Sequence, residues 1–198
     1  MTGSLELQLR EHLAAVEESR ALLPLVDQIS GEICARLANG GTVYAFGNGG
    51  SAADAQHLVA ELIGRYSRDR RPLAAVSLST DPSVTTCIAN DYSYQDVFAR
   101  QVSALAGPDD VVVAFSTSGR SPTVVTGLAA ARQAGALTIL FTGADLAEAA
   151  AQADRVLSVP AKATARIQEG HVLLLHLLSE QIDQWAAGPG GSTQENTP

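Results

Sequence analysis

Five short apolar runs leave this chain few folds to choose from. TVYAF (42–46), LAAVSL (73–78), DVVVAF (110–115), LTILF (137–141) and VLSV (156–159) are rich in β-branched residues and lack strict apolar–polar alternation. Strands buried on both faces read this way, whereas half-exposed strands alternate. Between the runs lie segments with helical spacing: 52–66, a broken stretch at 82–105, 122–134 and 145–153, with a last helix from about 164 to 187. Such alternation with right-handed crossovers predicts an α/β fold: a five-stranded parallel sheet covered by helices on both sides, a three-layer αβα sandwich. Two helices precede the sheet. Leu5, Leu9, Leu13 and Val16 mark one at 5–18; Val26, Ile29, Ile33 and Leu37 mark another at 22–37, stopped by Asn39-Gly40-Gly41. Residues 1–40 therefore read as packing or oligomer-forming helices, 41–187 as the α/β domain, and 188–198 as a disordered Gly/Pro/polar tail.

In such sheets ligands bind beyond the carboxyl ends of the strands, at helix N-termini. Two of those junctions are unusually polar. Gly47-Asn48-Gly49-Gly50-Ser51 follows the first strand; its glycines permit positive φ and close approach of a ligand to main-chain amides. Ser51 is expected to cap a helix beginning at Ala52. Alone the segment is weak evidence, being neither a GxGxxG nor a Walker loop. Ser116-Thr117-Ser118-Gly119-Arg120-Ser121 follows the third strand and leads into a helix opened by Pro122. One hydroxyl would suffice for a cap. Four hydroxyls beside free amides at a helix N-terminus predict a phosphate site that needs no lysine.

Composition narrows the partners. Hydrophobic residues at 46% and charged residues at 17% describe a globular chain with a buried core. A formal net charge of -8 argues against a nucleic-acid partner, since phosphate backbones are bound by clustered Lys and Arg. The one basic cluster, Arg65, Arg68, Arg70 and Arg71, is diluted by Asp69 and reads as a solvated loop. Cys34 and Cys87 lie far apart and read as reduced, buried thiols of a cytoplasmic protein. The start MTGSLELQLREHL mixes acids with its leucines, unlike a signal peptide, and no apolar run approaches the ~20 residues that span a bilayer.

His57 and Glu61, spaced i, i+4 on the helix after the first loop, project from one face. Such a pair can bind Zn²⁺ or perform acid–base chemistry. The last helix adds Gln168 and His176, while His12 and His171 read as structural or solvent-facing. Eight residues of helix span ~12 Å, an awkward separation for two ligands of one ion. Either that helix is irregular near Gly170, or the site combines residues from different subunits.

The segments FGNGGSAADAQHLVAEL, IANDYSY, FSTSGRS and ARIQEGH, in this order, resemble the sugar isomerase (SIS) family, and within it the phosphoheptose isomerases. The resemblance spans roughly Leu5 to Trp185. It implies a substrate site at Asn48, Gly49, Gly50, Ser51, Glu61, Asn90, Asp91 and Gln168, with Ser116, Thr117, Ser118 and Ser121 on the phosphate. It implies one zinc ion per subunit on His57, Glu61, Gln168 and His176, acid–base roles for Glu61 and His176, and a homotetramer with active sites near subunit interfaces. Two positions depart from the pattern: Arg120 stands where Asn is usual, and Ala165 where Asp is frequent.

The implied activity is a ketose–aldose isomerisation, sedoheptulose 7-phosphate to D-glycero-D-manno-heptose 7-phosphate, through an enediolate. Glu61 would be the carbon base, His176 would serve the oxygens, and zinc would polarise them. One rival is a non-catalytic SIS protein binding the replication initiator DnaA; another is an SIS isomerase for a different ketose phosphate. Retention of both Glu61 and His176, which a scaffold does not need, favours the enzyme.

Overall fold

Alternate residues along each strand face opposite ways, and both faces of this sheet are apolar. In β1 (Val43–Gly47), Val43 and Ala45 point to one side while Tyr44 and Phe46 point to the other. The same division holds in β3 (Val111–Ser116), where Val111, Val113 and Phe115 oppose Val112 and Ala114. The computed structural model describes residues 2–188, so the expected tail, except Gly188, lies outside the described residues. Its five strands are all parallel and ordered β2-β1-β3-β4-β5, with β2 at Ala75–Ser77, β4 at Leu137–Thr142 and β5 at Arg155–Ser158.

Helices cover both faces. Against the Val43 face pack α2 (Leu23–Ala38), α3 (Gly50–Ile63) and α7 (Thr164–Ala187). Against the Phe46 face pack α4 (Pro82–Asp91), α5 (Val97–Leu105) and α6 (Pro122–Gln133). Gly127 in α6 brings that helix close, since a Cβ there would meet Phe46 at 2.7 Å. The N-terminal α1 (Thr2–Glu18) docks on α7: His12 Nδ1 lies 2.8 Å from Glu169 Oε2, and Arg166 donates to the Gln8 carbonyl at 2.8 Å. The expected three-layer sandwich is present.

Four local expectations need correction. The broken stretch resolves into α4, a 3-10 turn and α5, while the helix expected at 145–153 is only a 3-10 turn, Glu148–Gln152. The helix after the first loop begins at Gly50 and not Ala52, because Gly49, at φ +57°, turns the chain earlier; Ser51 is buried within the first turn and makes no cap. Cys34 is buried as expected, but Cys87 is exposed.

The fourth concerns the arginines: Arg65 and Arg71 are exposed, as expected of a solvated loop, but Arg68 and Arg70 are not. The Arg70 side chain is 1% exposed and pairs at 2.9 Å with Asp183, which is fully buried. Arg70 also donates to the carbonyls of Glu61 at 2.6 Å and Leu62 at 2.8 Å, filling the C-terminal end of α3. One guanidinium thus ties α3 to α7. Arg68 and Ser67 donate their backbone N–H groups to the same carboxylate.

Burial by itself would raise the Asp183 pKa, but those N–H groups and the Arg70 guanidinium outweigh it and hold the carboxyl below its usual range. Its contribution to stability is complete above the unfolded-state value of about 4 and is lost as pH falls through the lower folded value. Asp183→Asn should cost about 3–5 kcal/mol at neutral pH, because it orphans a buried guanidinium. Urea denaturation of both proteins should show the gap narrowing as pH drops below about 4; a gap that stays constant into that range would refute the assignment.

Candidate active site

The strand order reverses between β1 and β3, which opens a crevice at their carboxyl ends. Both polar junctions lie there. Asn48 donates through Nδ2 to Thr123 Oγ1 at 2.8 Å and accepts from the Tyr94 hydroxyl at 3.3 Å, so its side chain ties the loop after β1 to the start of α6. Gly49 and Gly50 are exposed, whereas Ser51 is buried.

The loop after β3 keeps its hydroxyls away from capping. Ser121 occupies the N-cap position of α6, yet its hydroxyl makes no capping bond. Ser116 Oγ accepts from Gly119 N, and Ser118 Oγ accepts from Arg120 N, each at 3.2 Å. An over-capped helix therefore does not explain the four hydroxyls. A cavity of about 150 Å³ lies beside this loop, lined by Thr117, Ser118 and Arg120 and by Lys162 and Thr164 at the start of α7. Arg120 lines this cavity. Asn90 and Asp91 stand at the exposed end of α4, with hydrogen bonds that run to each other and to Cys87.

The second centre lies further down α3 and α7. His57 Nε2 is 3.0 Å from Glu61 Oε1 and 3.2 Å from His176 Nε2. One ligand atom from each of the three lies within 4.8 Å of the others. If His57 Nε2 donates its one proton to Glu61, it has no lone pair left for His176. Two imidazole nitrogens and a carboxylate oxygen converging on one point suit a cation better than a hydrogen-bond chain. Burial, then the neighbouring His57, holds the His176 imidazole below its ordinary pKa, with Glu61 pulling the other way. A neutral ring is what a metal ligand or a proton acceptor requires.

Gln168 does not join them within this chain. Its amide lies against Gly50, where a Cβ would come within 2.3 Å of Nε2. Helix α7 is continuous through Gly170, whose missing Cβ makes room for Val159. Of the two alternatives, irregularity near Gly170 is absent, so about 12 Å of helix separates Gln168 from His176. His12 is paired with Glu169, and His171 is wholly buried beside Phe115 and Phe141.

Comparison with known proteins identifies the family and the fold. The SIS domain model matches residues 8–143. The phosphoheptose isomerase of Paramagnetospirillum magneticum is 46% identical over 184 residues, covering 92% of this chain and 96% of the relative. That of Bordetella avium is 46% identical over 193 residues, covering 95% and 98%. A solved phosphoheptose isomerase from Neisseria gonorrhoeae superposes with a TM-score of 0.86 at 40% identity, covering 92% of this chain and 98% of that one. The chain belongs to the phosphoheptose isomerases of the SIS family. Membership makes this family member an enzyme of the isomerase class.

Thr123 and Asp54 of this SIS enzyme were not singled out in the sequence, and His171, read there as structural or solvent-facing, is wholly buried. Thr123, two places beyond Ser121, adds a fifth hydroxyl and anchors Asn48. Asp54 falls within the buried stripe Ala55, Leu58 and Leu62 of α3, and His171 within the stripe Ile167, Leu174 and Leu178 of α7. A polar residue inside an apolar stripe was the available signal. For the loop tie, Asn48→Ala and Thr123→Val should each lower stability by about 1 kcal/mol. The double variant should lose little more than either alone in urea denaturation; additive losses would mean the two side chains are not coupled.

Proposed function

We propose that this isomerase interconverts sedoheptulose 7-phosphate and D-glycero-D-manno-heptose 7-phosphate through an enediolate. The convergence of His57, Glu61 and His176 in a relative of the phosphoheptose isomerases carries the reading. Glu61 removes the proton from C1 of the ketose and returns it to C2. His176, neutral near pH 7, moves the matching proton between the oxygens: O2 gains one as the enediol forms and O1 gives one up as the aldose forms. The hydroxyls of Ser116, Thr117, Ser118 and Ser121 hold the phosphate, with the amides of the Asn48–Ser51 turn and Asn90 and Asp91 positioning the sugar.

Zinc is the proposed cofactor, one ion per subunit. His57, Glu61 and His176 would hold it, and Gln168 would complete the set from a neighbouring copy. Bound there, zinc supplies Lewis-acid polarisation of the substrate oxygens. Thr164, at the cavity, and His176 are separated by about 18 Å of helix, longer than an extended heptose phosphate. That separation supports a site shared between subunits of a homotetramer. So do Leu5, Leu7, Leu9 and Leu13 on α1, each more than half exposed. No helix among the described residues is long and apolar enough to cross a membrane, and the two cysteines are free, which supports a cytoplasmic enzyme.

Purified protein incubated with sedoheptulose 7-phosphate should yield the aldoheptose phosphate, detected by NMR through the anomeric protons that the aldose has and the ketose lacks. Prior chelation should suppress turnover and zinc should restore it. Absence of product with and without added zinc would sink the reading, and DnaA capture in its place would favour the scaffold. Glu61→Gln should lower kcat about a hundredfold or more while leaving the fold intact. An unchanged rate would remove Glu61 as the base.

A further inference from the structure

Three contacts step down the interface of α3 and α7. Gly50 meets Gln168, Asp54 faces His171, and His57 meets His176. The partners advance together along both helices, so the two run parallel and in step. The middle contact differs in kind from the others. His171 has no exposed surface, and neither of its ring nitrogens has a hydrogen-bond partner. Asp54 Oδ2 is also buried and unpartnered, and it lies 3.8 Å from His171 Nδ1. Phe115 and Phe141 flank the imidazole in T-shaped contacts, with ring centroids 5.9 Å away in each case.

A buried carboxylate and a buried imidazole are expensive unless they serve each other, and apolar residues of similar volume would hold the helices at least as firmly. Leucine at 54 and phenylalanine at 171 would simply continue the two apolar stripes. Stability therefore does not account for the pair, but register does. Smooth apolar stripes pack almost equally well after a small slide, whereas a slide would part a buried carboxylate oxygen and imidazole that stand 3.8 Å apart and have no hydrogen-bond partner elsewhere. A slip of one residue moves a helix by about 1.5 Å and turns its side chains by about 100°. His176 would then part from His57.

We infer that Asp54 and His171 form a positioning pair that locks α3 and α7 in the register at which His57, Glu61 and His176 converge. The inference rests on the metal-capable group described above, and on the proposed reaction only where turnover is measured. Asp54 lies one turn before His57, and His171 lies between Gln168 and His176, so the pair acts on the site through the helices.

The test refills the core while removing the pair. Asp54→Leu with His171→Phe should fold with an unchanged or raised Tm, yet bind Co²⁺ at least tenfold more weakly than the wild type, read from the visible absorption of the cobalt protein. Its kcat should fall while KM stays within about threefold. Co²⁺ affinity and kcat equal to the wild type would overturn the inference and leave the pair as packing alone. If the double variant does not fold, Asp54→Ala against Asp54→Asn gives the same comparison. Asn keeps an atom able to bond the imidazole and should retain affinity within about threefold, whereas Ala should lose it; equal affinities would overturn the inference. Should the wild type bind no Co²⁺, the metal reading fails by itself, and a crystal structure of the double variant, or of Asp54→Ala if that variant does not fold, decides the register: separation of His57 from His176 supports the lock, and an unchanged contact refutes it.

Discussion

The meeting of His57, Glu61 and His176 depends on how α3 lies against α7. The helices come from opposite ends of the domain sequence, yet each enters from the carboxyl edge of the sheet and runs back along the same face. Their apolar stripes supply the attraction, since Leu58 and Leu62 of α3 and Leu174, Leu175 and Leu178 of α7 belong to one buried cluster. Polar contacts fix the alignment. At the lower end Arg70 grips both helices, bonding the last carbonyls of α3 and the buried Asp183 of α7. Without that alignment His57 and Glu61 would be an ordinary pair on the flank of a helix.

The sheet has a different task. Its order places the loops after β1 and β3 side by side, and the Asn48–Thr123 bond joins them. A rigid crevice results, built from strand ends that are wholly buried on both faces. The loops differ in kind. The loop after β1 offers backbone, while the one after β3 offers hydroxyls that capping leaves free.

The architecture was legible in the sequence because doubly buried parallel strands announce themselves as unbroken apolar runs, and all five lie within two residues of their expected positions. His57 and Glu61 were legible because i, i+4 spacing is local. What stayed hidden was long-range. Nothing near Arg70 reveals that its partner is Asp183, 113 positions away, so a buried clamp looked like a solvated loop. The meeting of His57 with His176 needs the helix register, which no local pattern encodes. Ser51 misled for a smaller reason: Gly49 takes the positive φ that starts the helix early, and the expected cap residue is carried inside.

The Arg70 clamp has an electrostatic consequence. A helix carries partial positive charge at its amide end and partial negative charge at its carbonyl end. In α3 the carbonyl end is occupied by a guanidinium, whose own charge is met by Asp183. The amide end, beginning at Gly50, has no acidic residue in its first turn and opens toward the crevice. The uncompensated pole of α3 is thus the positive one. A chain of net charge -8 repels an anion at long range, yet at this edge of the sheet the amide end of α3 stands with Arg120 and Lys162, which line the neighbouring cavity. Repulsion from the whole molecule and attraction from this one edge thus oppose each other, and the balance turns only where the charges of that edge are within a few ångströms.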